Sequence, residues 1–110
     1  MIIKSETKIT GVGGYVPKDI LTNYDLQKLV DTSDEWIIRR TGIIKRHISS
    51  ETENSSNLAI KAIENLIEVY GSDISDVDMI VVSTTSPDHI VPNVASLIQG
   101  HFGIRKTEIG

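Results

Sequence analysis

The chain has 110 residues, of which 39% are hydrophobic and 24% are charged, and its formal net charge is −4. A chain of this length forms at most one domain, and its apolar content is too high for an acidic disordered segment. The acidic balance disfavours non-specific nucleic-acid binding. Since the sequence contains no cysteine, it excludes disulfides, thiolate zinc sites and a cysteine nucleophile within these residues. No apolar run is long enough for a membrane span, and the start lacks a signal-peptide core, so a cytoplasmic protein without membrane contact is predicted.

The first part of the chain predicts one strand followed by two short helices. Lys8–Val16 combines β-branched residues with glycines, which is typical of a strand that bends or is closely approached by another backbone. Asn23 is predicted to cap a short helix that ends at Val30. Ser33 is predicted to cap a second helix that ends before Gly42, a residue suited to a left-handed helix terminus.

The rest of the chain predicts two longer helices and a second strand. Apolar residues recur with helical period from about Ser56 to Tyr70, and Gly71 ends this helix. Met79–Thr84 is continuously apolar and β-branched, the pattern of a parallel strand buried on both faces. Pro92 suits the first turn of a further helix that Gly103 closes. This alternation predicts a layered α/β protein with parallel pairing, in which two strands form the opening of a larger sheet.

The most distinctive segment lies between Asp31 and Gly42 and contains the only tryptophan. Trp36 and Arg40 are four apart on a predicted helix, so an indole plane and a guanidinium plane face each other across a slot that a purine fits. Positive charge for a phosphate-bearing ligand is available nearby from Arg39, Arg40, Lys45 and Arg46. From these residues alone, a half-buried tryptophan beside a solvated basic face is the stronger interpretation, and the ligand site is the alternative.

Two further sets of polar residues are candidate sites. The hydroxyls of Ser83–Ser86 follow the predicted buried strand, where open α/β sheets place their ligand crevice. These hydroxyls either contact a ligand or form hydrogen bonds to backbone groups of the loop, and the sequence favours neither role over the other. The three histidines lack the spacing of metal ligands, so no metal site is predicted and surface or structural roles are favoured; they are His47, His89 and His101.

Several motifs together resemble a known family. The run VDTSDEWI from Val30 to Ile37, with RTGI from Arg40 and RHI from Arg46, closely resembles the opening of β-ketoacyl-acyl-carrier-protein synthase III. The resemblance extends over nearly the whole chain, through Gly11–Pro17, Thr22–Asn23, Ile80–Ser86 and Pro92–Gly103. It implies an α/β protein of the thiolase-like fold, in which residues 1–110 form the N-terminal part of the first βαβαβαββ unit of a five-layered αβαβα architecture. No internal boundary is expected.

The resemblance also implies a function. Members of this family are homodimeric acyltransferases that initiate fatty acid biosynthesis by condensing acyl-CoA with malonyl-acyl-carrier protein. Coenzyme A thioester is thus a substrate, and no cofactor is implied. In the family, the tryptophan and arginine that match Trp36 and Arg40 hold the adenine of coenzyme A, and the threonine that matches Thr32 lies beside them. These three residues are therefore the expected coenzyme-binding site.

A second region is implied at the dimer interface. In the family, the segment that matches Thr85 to Val91 lies near this interface, and one side chain of it helps to close the acyl pocket of the partner subunit. The aligned residue here is Val91, where some relatives carry phenylalanine. A smaller side chain at this position predicts room for a bulkier starter acyl group.

The resemblance places the catalytic groups outside this sequence. Family members carry the nucleophilic cysteine just beyond the position of Gly110, and the catalytic histidine and asparagine far downstream. No catalytic residue is therefore expected here, and the 110 residues are predicted to be an inactive N-terminal fragment of the synthase. Two alternatives are a non-catalytic remnant of a broken gene that acts as a binding module, and another thiolase-fold starter enzyme of the polyketide or quinolone type.

Overall fold

The computed structural model describes residues 2–105. They form two strands and four helices, in the order β1 (Asp19–Thr22), α1 (Asn23–Gln27), α2 (Asp34–Thr41), β2 (Lys45–Ile48), α3 (Ser55–Tyr70) and α4 (Val94–Phe102). These elements belong to two compact units. Val16–Asn54 forms the central unit, and the residues up to Tyr15 together with those from Ser55 onward form the flanking unit. That no domain boundary divides the chain stays a prediction.

The central unit is built on a pair of strands that the sequence patterns did not predict. β1 and β2 pair antiparallel, with Asp19 opposite Ile48 and Thr22 opposite Lys45. Each strand has four residues, and β2 is mostly polar. Neither strand therefore shows the apolar alternation by which strands are recognised.

The N-cap of the first helix lies one residue earlier than predicted. Thr22, not Asn23, is the N-cap of α1, and its side chain forms a capping box with Asp25. The helix ends at Gln27, followed by Lys28 as its C-cap, so the predicted end at Val30 is wrong. Asn23 is buried instead.

The second helix confirms the prediction at both ends. Ser33 is the N-cap of α2, and its Oγ accepts the backbone N–H of Trp36 at 3.1 Å. Gly42 ends the helix in the left-handed conformation, with φ of 71°, where a side chain is disfavoured. Acidic residues lie in the first turn and basic residues in the last turn, which suits the helix dipole.

The flanking unit is organised around α3 and α4, which pack together. Gly71 ends α3 with φ of 61°, as predicted. Asn93 is the N-cap of α4, so the prediction of Pro92 in the first turn is wrong because the proline precedes the cap. Gly103 closes α4, as predicted, with φ of 63°.

Gly13 packs against α3, and this contact explains why the position is a glycine. A Cβ added to Gly13 would lie 2.4 Å from the carbonyl oxygen of Ala62 and 2.6 Å from Cβ of Leu66. The neighbouring Gly14 donates its N–H to Oδ1 of Asn65 at 3.1 Å. The predicted close approach of another backbone is confirmed, and that backbone belongs to α3.

The two predicted parallel strands are absent from the described residues. Lys8–Val16 and Met79–Thr84 lie outside strands, and within residues 2–105 the only strand pair is the antiparallel one of the central unit. Met79 is 78% exposed and Val81 is 83% exposed, so the predicted burial on both faces is also wrong. A strand requires a hydrogen-bonded neighbour, and no described backbone segment pairs with either run.

Candidate functional site

The candidate site is an open cavity in the central unit, on the N-terminal side of α2. Its volume is about 310 Å³, and its walls are Asp31, Thr32, Ser33 and Trp36. Thr32 and Trp36, two of the three predicted coenzyme-binding residues, therefore share one cavity. Trp36 is 55% exposed, so a large part of its indole is available to a ligand.

The local geometry follows from the cap of α2. The Ser33 side chain accepts the N–H of Trp36 at the start of α2. This bond links the loop side of the cavity, Asp31 to Ser33, to the first turn of the helix. The N–H of Asp34 donates to Oε1 of Gln27 at 2.7 Å, so the end of α1 is tied to the beginning of α2. Thr32 directly precedes Ser33 and Asp34, the two residues that these hydrogen bonds anchor.

Arg40 is the third predicted residue, and it lies over the indole. Its guanidinium carbon is 5.6 Å from the ring centroid of Trp36, within the range of a cation–π contact. A planar base stacked on both sides needs roughly 7 to 8 Å between its flanking groups, twice the optimum carbon separation. The structure thus brings Trp36 and Arg40 together, but the slot expected between them is closed.

The basic cluster is smaller than the sequence suggested. Arg39 is paired with Glu35, with 2.6 Å between Nη2 and Oε1. Arg46 is part-buried and donates two hydrogen bonds inside the unit. Arg40 on α2 and Lys45 at the start of β2 are the other two members of the cluster, and both are exposed.

A buried asparagine bonds to the first residue of α2, a role that differs from the helix cap predicted for it. Asn23 is fully buried. Its Nδ2 donates to Oδ1 of Asp34 at 2.9 Å and to the carbonyl of Ile43 at 2.8 Å, and its Oδ1 accepts from Nη2 of Arg46 at 2.6 Å. The sequence contains a signal for this role. Thr22 followed three residues later by Asp25 is the pattern of a capping box, and a cap at Thr22 leaves the Asn23 side chain available for other hydrogen bonds.

The residues predicted at the acyl pocket lie in the flanking unit. Thr85 is exposed and Val91 is 84% exposed, both in the loop before α4. A cavity of about 540 Å³ lies beside this loop, and its walls are Met79, Ile80, Val81, Val82, Thr84, Pro87, His89, Ile90, Asn93, Val94 and Ala95. Neither Thr85 nor Val91 belongs to these walls.

The loop after residue 83 is held by hydrogen bonds to α3. Oδ1 of Asp88 accepts the N–H of Ser56 at 2.8 Å, and Oδ2 accepts its hydroxyl at 2.5 Å. The Ser56 hydroxyl, together with its backbone N–H, holds the pKa of Asp88 below its ordinary value, against a smaller opposing effect of burial. Oγ1 of Thr84 accepts the N–H of Ser86 at 3.1 Å, so this hydroxyl satisfies a loop backbone group, one of the two alternatives for Ser83–Ser86.

The described residues contain no group of three or more side chains of histidine, cysteine, aspartate or glutamate that is arranged to hold a metal ion. None of the helices within residues 2–105 has the length and hydropathy needed to cross a bilayer.

The chain is similar to condensing enzymes both in sequence and in structure. No protein-family model matches it. It is 51% identical over 105 residues to β-ketoacyl-[acyl-carrier-protein] synthase III 2 of Bacillus anthracis. The matched region covers 96% of this chain and 32% of the relative. The crystal structure of the synthase III from Thermus thermophilus superposes with a TM-score of 0.84 at 42% identity, over 92% of this chain and 31% of that one.

A structure from another pathway is also similar. The priming β-ketosynthase of the R1128 polyketide pathway superposes with a TM-score of 0.79 at 30% identity, over 88% of this chain and 29% of that one. These neighbours confirm the predicted thiolase-like α/β fold. The chain spans about a third of the length of the curated relatives it matches. In sequence and in fold, this chain is related to the β-ketoacyl-[acyl-carrier-protein] synthases III along almost all of its length.

Proposed function

We propose that this chain is the coenzyme-recognition part of a β-ketoacyl-acyl-carrier-protein synthase III. The whole enzyme is an acyltransferase that condenses acyl-CoA with malonyl-acyl-carrier protein and so initiates fatty acid biosynthesis. The observation that carries the proposal is the exposed Trp36, which shares a cavity with Thr32 and lies under Arg40. The 110 residues contain no cysteine, so the cysteine nucleophile that the family resemblance implies is not among them.

The adenine of coenzyme A is proposed to stack on Trp36. The indole offers a large planar face at an exposed position, and aromatic stacking with a base contributes about 1 to 3 kcal/mol. Arg40 must move by about 2 Å for a base to enter between the two side chains, given the spacing such a stack requires. Its long exposed side chain allows this movement, and the guanidinium then covers the second face of the base.

Thr32 and the remaining positive charge complete the proposed site. The Thr32 hydroxyl lies in the cavity wall and can donate or accept one hydrogen bond with the ligand. Lys45, the first residue of β2, is exposed and supplies charge for the phosphates of the coenzyme. Coenzyme A is a substrate component in this proposal, and neither a separate cofactor nor a metal takes part.

A titration of the only tryptophan tests the proposal directly. Because Trp36 is the single tryptophan of the chain, its fluorescence reports on this site alone. We expect coenzyme A to quench the emission with saturation, and 4′-phosphopantetheine, which lacks the adenine nucleotide, to leave it unchanged. Equal quenching by both compounds, or none by coenzyme A, contradicts an adenine site at Trp36.

The acyl-pocket proposal concerns Val91 and the assembled enzyme. We propose a cytoplasmic homodimer in which the loop from Thr85 to Val91 lies at the subunit interface and Val91 helps to close the partner's acyl pocket. A Val91→Phe variant of the complete synthase is then expected to shift preference from branched acyl-CoA toward acetyl-CoA, because the pocket becomes smaller. An unchanged ratio of the two activities contradicts this role.

A second candidate function is that of a polyketide starter enzyme. It is favoured by the structural similarity to the priming ketosynthase of a polyketide pathway. The discriminating measurement is condensation with malonyl-acyl-carrier protein from fatty acid synthesis against the carrier of a polyketide pathway. Activity only with the latter supports the polyketide assignment.

The non-catalytic alternative has its own test, the intact mass of the protein purified from its source. A mass near 12.1 kDa, without condensing activity, supports a binding module. A mass several times larger supports the enzyme.

A further inference from the structure

The helix that carries Trp36 and Arg40 is held at both ends by one side chain. Asn23 donates from its single Nδ2 to Asp34, the first residue of α2, at 2.9 Å. It donates from the same nitrogen to the carbonyl of Ile43, just beyond the end of α2, at 2.8 Å. One amide group therefore anchors both ends of α2 to the same point of the central unit.

The position of α2 depends on such contacts because the helix is short. It has eight residues, and a helix of this length is marginal without tertiary support. Ile37 is its only buried residue, so apolar packing holds the helix at one point. Ser33 and Gln27 contact only its first turn. Among the described contacts, Asn23 is the side chain that bonds at both ends.

The orientation of the Asn23 amide is itself fixed. Arg46 on β2 donates to the Asn23 oxygen at 2.6 Å and to the carbonyl of Leu21 on β1 at 3.3 Å. A guanidinium can only donate, so the oxygen must face Arg46 and the NH₂ group must face Asp34 and Ile43. The backbone N–H of Asn23 donates to the carbonyl of Ile44 at 3.2 Å. A buried network with its donors and acceptors satisfied in this way rigidifies its surroundings.

We infer that Asn23 is a positioning residue for the proposed coenzyme site, which it acts on through α2 without touching the ligand. This inference rests on the proposed function. Loss of the bond to Asp34 releases the start of α2 and changes the placement of Trp36 against Arg40. The strand pair β1–β2 thereby sets the geometry of the site through Arg46 and Asn23.

The test compares substitutions of neighbouring acidic residues in the whole chain. Asp34→Ala removes one of the two acceptors of the Asn23 NH₂ group, whereas Asp34→Asn keeps an oxygen that can accept the same bond. Glu35→Ala is the matched control, because it also removes a first-turn carboxylate but its partner is Arg39. Asn23→Asp is the direct variant, since it keeps the shape and replaces the donating NH₂ group by an oxygen that faces Asp34.

Two measurements are made on each variant. The indole N–H resonance of Trp36 in the free protein reports its placement against Arg40, and the fluorescence titration reports coenzyme A affinity. We expect Asp34→Ala and Asn23→Asp to shift the resonance and to weaken binding about tenfold, the equivalent of one lost buried hydrogen bond. Asp34→Asn and Glu35→Ala are expected to retain the resonance and the affinity.

The outcomes separate this inference from the proposed function. If Asp34→Ala and Glu35→Ala give the same resonance and affinity, Asn23 does not position the site. If the unsubstituted protein fails to bind coenzyme A, the proposed function is wrong, and the indole resonance alone then decides whether Asn23 positions Trp36. If Asn23→Asp fails to fold, the pair Asp34→Ala and Asp34→Asn decides the question.

Discussion

The two units of the molecule differ in whether their characteristic side chains have partners within the described residues. In the central unit, the polar residues Asn23, Asp34 and Arg46 bond to one another. In the flanking unit, Met79 and Val81 belong to an apolar run that is largely exposed and that no described strand pairs with. The polar groups of the central unit thus find their hydrogen-bond partners within the described chain. A pattern based on burial also requires a covering partner.

The largest expected effect is a substitution in the flanking unit at the contact of Gly13 with α3. Gly13→Ala places a Cβ against the backbone of Ala62 and against Leu66, so we expect a loss of about 1 to 3 kcal/mol in the free energy of unfolding. Gly14→Ala is the control, since nothing lies within 4 Å of an added Cβ there. Urea denaturation measures both. Equal stability of the two variants contradicts the close packing described for this unit.

The next effect concerns ligand binding in the central unit. Arg40→Ala removes the guanidinium that is proposed to move from Trp36 onto the second face of the bound adenine. We expect coenzyme A affinity to fall about fivefold to thirtyfold, the equivalent of about 1 to 2 kcal/mol for a cation–π contact with the base. Arg39→Ala is the control, since it makes the same change at a side chain that is paired with Glu35. We expect it to change affinity less than about twofold, because exposed ion pairs contribute little. Tryptophan fluorescence measures both. A larger loss from Arg39→Ala assigns the ligand to the other face of α2.

A smaller effect compares the same kind of local bond in both units. Ser33 caps α2 and Asn93 caps α4, each by accepting the N–H three residues on. Each substitution to alanine is expected to cost about 1 kcal/mol. Because caps are local, we expect similar losses in the two units, measured by thermal unfolding. A loss for Ser33→Ala alone indicates that α4 contributes little to the stability of the chain.

The smallest expected effect is a dependence of stability on pH that both units share. Hydrogen bonds from Thr22 lower the pKa of Asp25, and those from Ser56 lower the pKa of Asp88. A carboxyl whose pKa is lower in the folded state adds stability above its unfolded pKa, about 3.9, and loses this contribution as the pH falls through the folded pKa. We therefore expect the midpoint of urea denaturation to be lower at about pH 3 than at neutral pH.

The variant Asp88→Asn isolates the contribution of Asp88, one of two aspartates of the flanking unit whose pKa is lowered. It removes the carboxyl whose pKa is lowered, so the difference in midpoint between the two pH values is expected to shrink but to persist through Asp25 and Asp73, whose pKa values are also lowered. An unchanged difference shows that Asp88 does not contribute to acid sensitivity.

Much of α2 could be predicted from the sequence because its determinants are neighbours in the chain. Ser33 and Gly42 mark its ends by their own backbone preferences, and the four-residue spacing of Trp36 and Arg40 places them side by side. The closed spacing between these two side chains could not be predicted, since rotamers decide it. Their binding role, with that of Thr32, stays a prediction.

The missed features depend on residues that are distant in sequence. Asp88 accepts from the second residue of α3 across 32 positions, and no local pattern reports such a bond. β1 and β2 are too short and too polar to be recognised alone, and they are revealed by their pairing. The roles of Thr85 and Val91 involve a subunit interface and stay predictions.

The register of β1 and β2 has a consequence for which changes of chain length this fold tolerates. Leu21 lies opposite Arg46, and a deletion of one residue within either strand would turn the side chains that follow it to the other face. Arg46 would then no longer reach Asn23. Insertions are instead expected to be tolerated in the exposed turn at Lys28–Val30, where added residues loop outward and leave the strand pairing intact. Homologues of different length are therefore expected to differ at this turn and to agree in the spacing of both strands.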